Sequence, residues 1–242
     1  MLNPQVPLST DYDDEGFLKV HSIFETIQGE GPFAGWPALF VRLYGCNLQC
    51  PLCDTEYTKE YEKYNPMTLA QEVKSRLQLQ HKLSVPKRKP LVVITGGEPF
   101  RQNICDFVDY LLSLDFLVQI ETNGVLYLDL PWDHEALTVV CSPKTGKIHP
   151  KTALAADAYK YVLSYDGIAD DGLPISALGH PLGKYEHVAR PPDDWDGPIY
   201  LNPLDAGNDE ANFRNLQAVT LSVVTHGKYI MGVQMHKLIG LP

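Results

Sequence analysis

Five apolar runs, each stopped by polar or Gly/Pro residues, recur along the chain: "LVVITGGEPF" (Leu91 to Phe100), "FLVQIETNG" (Phe116 to Gly124), "LTVVCSPK" (Leu137 to Lys144), "AYKYVLSY" (Ala158 to Tyr165) and "IYLNPL" (Ile199 to Leu204). Runs of this kind look like strands buried on both faces, which belong to parallel sheets covered by helices. "MTLAQEVKSRLQLQ" sets Leu69, Val73 and Leu77 four apart on one helical face, and "NICDFVDYLLSL" reads as a second helix. A third is expected near Glu210 to Thr225, with Phe213, Leu216, Thr220 and Val223 on one face. Two further strands, Phe17 to Ile27 and Ala38 to Gly45, bracket the stretch "QGEGPFAGWP", and "YIMGVQMHKLIG" reads as a last strand. The alternation predicts one α/β domain over residues 1–242, a mainly parallel sheet or open barrel. Its ligand site should lie at the carboxyl ends of the strands, where "TGGEP", "ETNG", "CSPK", "LNPLD" and "QMHK" collect. The first 16 residues yield no reading.

Composition narrows the function classes. A net charge of −10 argues against a broad nucleic-acid surface, because phosphate binding needs clustered Lys and Arg. The basic "PKRKP", Pro86 to Pro90, sits between prolines and reads as a solvated loop. Nothing approaches the roughly 18 consecutive apolar residues of a membrane span, and the N-terminus lacks the pattern of a signal peptide, so the cytoplasm is expected. Five cysteines, three of them crowded, make a poor disulfide framework and point to metal or redox chemistry.

The crowded three are Cys46, Cys50 and Cys53 in "YGCNLQCPLCDT", separated by three and then two residues, so one loop can wrap them around one centre. A structural zinc normally takes four ligands, and no second Cys or His pair stands at a matching spacing. A 4Fe-4S cluster held by three thiolates keeps one iron without a protein ligand, open to a small chelating molecule. Cys105 and Cys141 read as core residues. Arg42 lies on the apolar strand "ALFVRLYG", where an unpaired charge is costly, so it should face a ligand or a carboxylate. Gln28 and Glu30 bracket a glycine, either as a tight turn or as donors and acceptors for a ligand. Asp54 and Thr55 either close the cysteine loop as a turn or hold a hard cation such as Mg²⁺ beside it.

CxxxCxxC followed by "TGGEP" resembles the radical S-adenosylmethionine (SAM) superfamily. "TIQGEGPFAGWPALFVRLYGCNLQCPLCDT" with the tail "QMHKLIGLP" resembles, within it, the 7-carboxy-7-deazaguanine synthases. The likeness runs in islands from about Ile23 to Pro242; between Pro131 and Trp195 it rests on "SPK" and the strand pattern. It implies a single-domain, mainly parallel partial (open) TIM-like barrel of the radical SAM type. It implies a ring-contracting lyase that converts 6-carboxy-5,6,7,8-tetrahydropterin to 7-carboxy-7-deazaguanine and ammonia in 7-deazapurine (queuosine-type) biosynthesis, regenerating SAM.

The resemblance also distributes roles. Cys46, Cys50 and Cys53 would hold the 4Fe-4S cluster and Thr55 a Mg²⁺ ion. Leu52, Cys53, Asp54, Gly97, Glu98, Ser142, Pro143, Lys144, Asn202, Pro203, Leu204 and Asp205 would meet SAM, with Asn202 standing where many relatives carry Gln. Ile27, Gln28, Gly29, Glu30, Arg42, Thr95, His236 and the terminal Pro242 would meet the substrate. Burial of Leu238, Ile239 and Leu241 is expected to bring Pro242 back into the pocket. An electron donor such as a flavodoxin or ferredoxin is implied, as is a homodimer; the residues themselves identify neither. Two other readings share parts of the pattern: a glycyl-radical activating protein, which must dock a protein substrate, and a cluster- or zinc-binding module without catalysis.

Overall fold

The computed structural model describes residues 3–81 and 88–241. Nine strands make one open sheet: β1 Leu18–Ile27, β2 Pro37–Leu43, β3 Glu62–Tyr64, β4 Leu91–Gly96, β5 Leu117–Thr122, β6 Leu137–Cys141, β7 Ala158–Leu163, β8 Ile199–Pro203 and β9 Ile230–Met231. Their spatial order is β3-β1-β2-β4-β5-β6-β7-β8-β9, so the edges β3 and β9 do not meet and the barrel stays partial. β1 runs antiparallel to β2 and β3, while every pair from β2–β4 to β8–β9 is parallel. The apolar runs thus form the parallel strands, and their carboxyl ends share one edge.

Helices cover the sheet. In α1 (Pro66–His81) the expected face is buried, with Leu69 and Val73 fully enclosed against β1, β2 and β4 residues. α2 (Cys105–Ser113) adds Phe107, Val108 and Leu111 to the same core. Burying one such side chain is worth about 1.5–3 kcal/mol, so this face decides where α1 docks. α3 (Pro150–Ala155) is short. α4 (Asp209–His226) begins at Asn208, whose side chain accepts from the Ala211 N–H, and ends at Gly227 in the left-handed region.

α4 corrects one expectation. Asn215, Ala218, Val219 and Ser222 face inward, whereas Phe213 and Thr220 are exposed and Leu216 and Val223 half-buried. Small residues let the helix lie close on the sheet. Asn215 replaces apolar area with two backbone bonds, donating to Leu204 O (2.7 Å) and accepting from Tyr165 N (2.9 Å).

The last strand is a second correction. β9 holds two residues, and the chain leaves the sheet at Gly232, where an added Cβ would lie 1.7 Å from Asn202 Oδ1. It then forms α5 (Met235–Leu238), whose first N–H donates to Gly29 O. Leu238, Ile239 and Leu241 are exposed, so the expected burial of the tail is absent, and Pro242 lies outside the described residues. Within the basic loop, Arg88 stacks 5.0 Å from the Trp36 ring and Lys89 pairs with Asp115; Pro86 and Lys87 lie outside the described residues.

Candidate active site

The carboxyl edge of the sheet opens into a cleft of about 240 Å³. Parallel pairing of β2 with β4 sets Arg42 beside Thr95, and the loops after β1, β2, β5 and β6 complete the wall. Gly96 and Gly97 line it too, but their want of a side chain serves the fold first. Gly96 sits at φ +131°, and a Cβ on it or on Gly97 would lie 2.2 or 2.1 Å from the backbone of Leu43 or Gly45. The close approach lets Gly97 N and Glu98 N donate to Leu43 O and Gly45 O, which ties the strand end to the start of the cysteine loop.

Cys46, Cys50 and Cys53 all line this cleft, as do Leu52, Asp54 and Thr55. Burial pushes the Cys46 thiol up to about 12, with Glu98 adding to the rise, and the Cys50 thiol up to about 11, against the pull of Lys144. Cys53 is raised mainly by burial as well. Thiols that exchange their protons for a metal are the ligand type an iron–sulfur cluster takes. Among the described residues no three His, Cys, Asp or Glu side chains converge closely enough on one point to hold a single ion. Cys141 is fully buried against Gly124, and Cys105 contacts Asp129 O at 3.8 Å, so both stay outside the cleft lining.

The cleft floor is a polar network that reaches it from four elements. Lys160, on β7, pairs with Glu30 on one side and with Glu121 at 2.9 Å on the other. Gln28 and Gln119 both donate to Glu121 Oε1 at 3.0 Å, Gln234 donates to Glu30 Oε1 at 2.8 Å, and Gln28 Oε1 accepts from Glu30 N. Burial works to lower the Lys160 ammonium, but the two carboxylates outweigh it and hold it well above its ordinary value. Lys237 on α5 is held in the same sense by Asp54 (2.6 Å) and Asp205 (3.5 Å), again against burial.

Two further cations face the cleft without an ion pair among the described residues. Arg42 lies 4.9 Å over the Phe24 ring, and its buried Nε has no hydrogen-bond partner among the described residues. Burial depresses its guanidinium, partly offset by Asp54 and Cys53. Lys144 donates to Ser142 O and Oγ and is likewise depressed by burial. Unpaired, partly desolvated cations beside three thiols make a pocket for an anionic ligand.

Of the residues expected here from sequence, Ile27, Gln28, Glu30, Arg42, Thr95, Gly97, Ser142, Lys144, Leu204 and Asp205 line the cleft with the cysteine-loop residues. Glu98 does not. Its carboxylate turns away from the opening and accepts from Phe100 N (3.0 Å), Thr122 Oγ1 (2.6 Å) and Asn123 N (2.7 Å), clipping "TGGEP" to "ETNG". Pro143 is buried behind the wall, and Asn202 is covered by Gly232, its amide without a hydrogen-bond partner among the described residues. Pro203 and Gly29 also lie off the lining, Gly29 accepting from Met235 N. The His236 side chain lies outside the described residues.

Sequence reasoning missed Lys160 and Leu178, whereas Gln234 belongs to the "QMHK" stretch expected at this edge. Lys160 carried the same signal as Arg42, a charge inside an apolar strand. Leu178, on the long loop after β7, lines the cleft with φ +51° and accepts from Leu52 N at 3.0 Å; strain of this sort gathers at functional sites. No local sequence signal marks it.

Residues 27–126 match the profile of a 4Fe-4S single cluster domain family. The chain is 39% identical over 240 residues to the 7-carboxy-7-deazaguanine synthase of Rhodospirillum rubrum, covering 95% of this chain and 94% of that protein. It is 38% identical over 231 residues to that of Rickettsia prowazekii (93% and 88% covered) and 45% over 245 residues to that of Hyperthermus butylicus (93% and 94%). The solved structure of QueE from Escherichia coli shares the fold, with a TM-score of 0.63 and 23% identity over 90% of this chain and 94% of that one.

Proposed function

Because the chain belongs to the 7-carboxy-7-deazaguanine synthase family, we propose that the cleft at the carboxyl edge of its sheet holds cluster, SAM and substrate side by side. The enzyme is a radical SAM lyase that contracts the ring of 6-carboxy-5,6,7,8-tetrahydropterin to give 7-carboxy-7-deazaguanine and ammonia. Bound together, the 4Fe-4S cluster and SAM would supply the one-electron chemistry that starts the ring contraction. The protein contributes position, charge and shelter from water.

In this reading Cys46, Cys50 and Cys53 hold three corners of the cluster. SAM lies along Leu52, Asp54, Gly97, Ser142, Lys144, Leu204 and Asp205, and Glu98, Pro143, Asn202 and Pro203 shape that wall from behind. Arg42 grips the pterin carboxylate. Gln28, Glu30 and Glu121 accept from its N–H edge, with Lys160 paired to both carboxylates. Thr55 holds Mg²⁺: its hydroxyl and the Asp54 carboxylate stand 3.4 Å apart at the cleft, two hard oxygens beside the cysteines. Ile27, Gly29, Thr95, His236 and Pro242 close the substrate side. An external flavodoxin- or ferredoxin-type donor supplies the electron, and the enzyme works in the cytoplasm as a homodimer. The exposed Phe213, Leu221, Val224, Ile230 and Met231 on α4 and β9 support the dimer.

The orphan Nε of Arg42 carries the substrate assignment, since a buried guanidinium edge without a partner is costly unless a ligand completes it. Arg42→Lys should raise the KM of the carboxypterin at least about tenfold and leave SAM binding unchanged. Binding of a pterin analogue without the carboxylate should be the same in both enzymes; a loss equal to that of the carboxypterin would assign Arg42 elsewhere.

A further inference from the structure

Residues 3–17, ahead of β1, form no helix and no named strand, yet they are firmly engaged. Asn3 and Gln5 are buried while Pro4 and Val6 are exposed, an in-out alternation of extended chain. Pro4 and Pro7 help to fix it: each locks its own φ, holds the preceding residue extended, and lacks an N–H that would need a partner at an exposed position.

What the inward residues meet is the cysteine loop. Leu8 N donates to Cys46 O (2.7 Å), and Asn3 N to Pro51 O (2.9 Å). The Asn3 amide donates to Cys50 O (3.1 Å), and the Gln5 amide to Thr55 O (2.8 Å). Gln5 Oε1 in turn accepts from Tyr57 N (2.9 Å) and Thr58 Oγ1 (3.2 Å), while Asn3 Oδ1 accepts from Gln5 N (2.9 Å). Farther along, Ser9 O accepts from the buried Arg101, Asp11 N donates to Arg101 O, and Asp11 pairs with Lys19 (2.7 Å). Arg101 also donates to Tyr44 O, so the arm is anchored beside the residues that begin the loop.

The loop has little internal support of its own. From Cys46 to Thr55 it contains no regular helix or strand, and its backbone bonds within the segment reduce to Cys53 N to Cys50 O among the described residues. Buried carbonyls left without donors are costly. The arm therefore supplies the donors a helix or sheet would otherwise give.

We propose, resting on the cluster-binding role of the three cysteines, that residues 3–11 form a strap that sets the shape of the cysteine loop and so governs how firmly the chain retains its cluster. Asn3 and Gln5 are positioning residues: they lie off the cleft lining and act through the carbonyls of Cys50 and Thr55.

The test uses the full chain with Asn3→Ala and Gln5→Ala combined, and separately Gln5→Glu, which keeps the acceptor for Tyr57 N and removes the donor to Thr55 O. In the metal-free protein, amide hydrogen exchange over residues 48–57 should quicken at least about tenfold in the double variant and less in Gln5→Glu, with the β4 and β5 amides unchanged. After anaerobic reconstitution, iron should pass to a ferrous chelator faster in the same order, and the EPR signal of the reduced cluster with SAM should broaden. Wild-type loop exchange together with wild-type iron release would overturn the strap. Should the double variant fail to fold, Gln5→Glu decides by the same readings. A wild-type protein that assembles no cluster would instead sink the cluster-binding role, and the exchange contrast in the metal-free chain would still decide whether the arm shapes the loop.

Discussion

Lys160 Nζ lies 2.9 Å from the Glu121 carboxylate and pairs with Glu30 on its other side, so one buried cation neutralises acceptors from β5 and from the loop after β1. Removing it leaves two carboxylates facing each other with little water, and breaking a buried pair costs about 3–5 kcal/mol. Lys160→Met should lower the unfolding free energy by an amount of that order and cut turnover far more than cluster content. The sign of the pH effect follows. In the wild type the lysine's pKa is raised above its ordinary 10.5, so its contribution is complete below that pH and fades only in strongly alkaline solution. The variant's carboxylate pair relieves its repulsion by taking up a proton, so its folded state binds more protons than its unfolded state. Its deficit in chemical denaturation should therefore be smaller at pH 5 than at pH 8; a deficit that grows on acidification would contradict the pairing.

The cysteines separate cleanly by position. Replacing Cys46, Cys50 or Cys53 by Ala should prevent stable cluster assembly and abolish activity. Cys105→Ala and Cys141→Ala should keep iron content near that of the wild type, because neither thiol lines the cleft. Cys141→Ala should show a modest stability loss of roughly 1 kcal/mol from its fully buried site. Iron analysis of the five variants checks this, and cluster loss on removing Cys105 or Cys141 would redraw the ligand set.

Much of this was legible from residue type and spacing. The apolar runs with polar stops located the parallel strands and the edge where the site lies, because a buried strand cannot contain many polar residues before it emerges. The cysteine spacing located the loop. Other features were hidden because their meaning is tertiary. Glu98 looks like a ligand in sequence, but three donors from β5 and its own turn draw it inward. Asn3 and Gln5 yield no reading from sequence, because their partners lie about fifty residues away. α4 misled because its buried face contains Asn215 and Ser222, which gain hydrogen bonds or close packing in place of apolar area.

Thr55 and Asp54 allow a separate test of the metal. Thr55→Ala should weaken the dependence of turnover on Mg²⁺ while sparing SAM binding. Kinetics unchanged across a magnesium titration would remove Thr55 from the metal shell.

The tail offers another. α5 docks on Gly29 through Met235 N, and Gln234 donates to Glu30, so this segment borders the cleft. A C-terminal extension or deletion of Pro242 should raise the pterin KM at least about tenfold, the equivalent of roughly 1.4 kcal/mol. Equal KM for tagged and untagged enzyme, with matched cluster content, would leave Pro242 without a part in binding.

The most direct measurement is turnover by the reconstituted, reduced protein given SAM, Mg²⁺ and 6-carboxy-5,6,7,8-tetrahydropterin under strict anaerobiosis, with products followed by mass spectrometry. 7-Carboxy-7-deazaguanine and ammonia should appear together in equal amounts, with SAM conserved, and the Cys50→Ala variant should form neither. A protein that assembles its cluster and binds SAM, yet leaves the carboxypterin unchanged, would contradict the assignment.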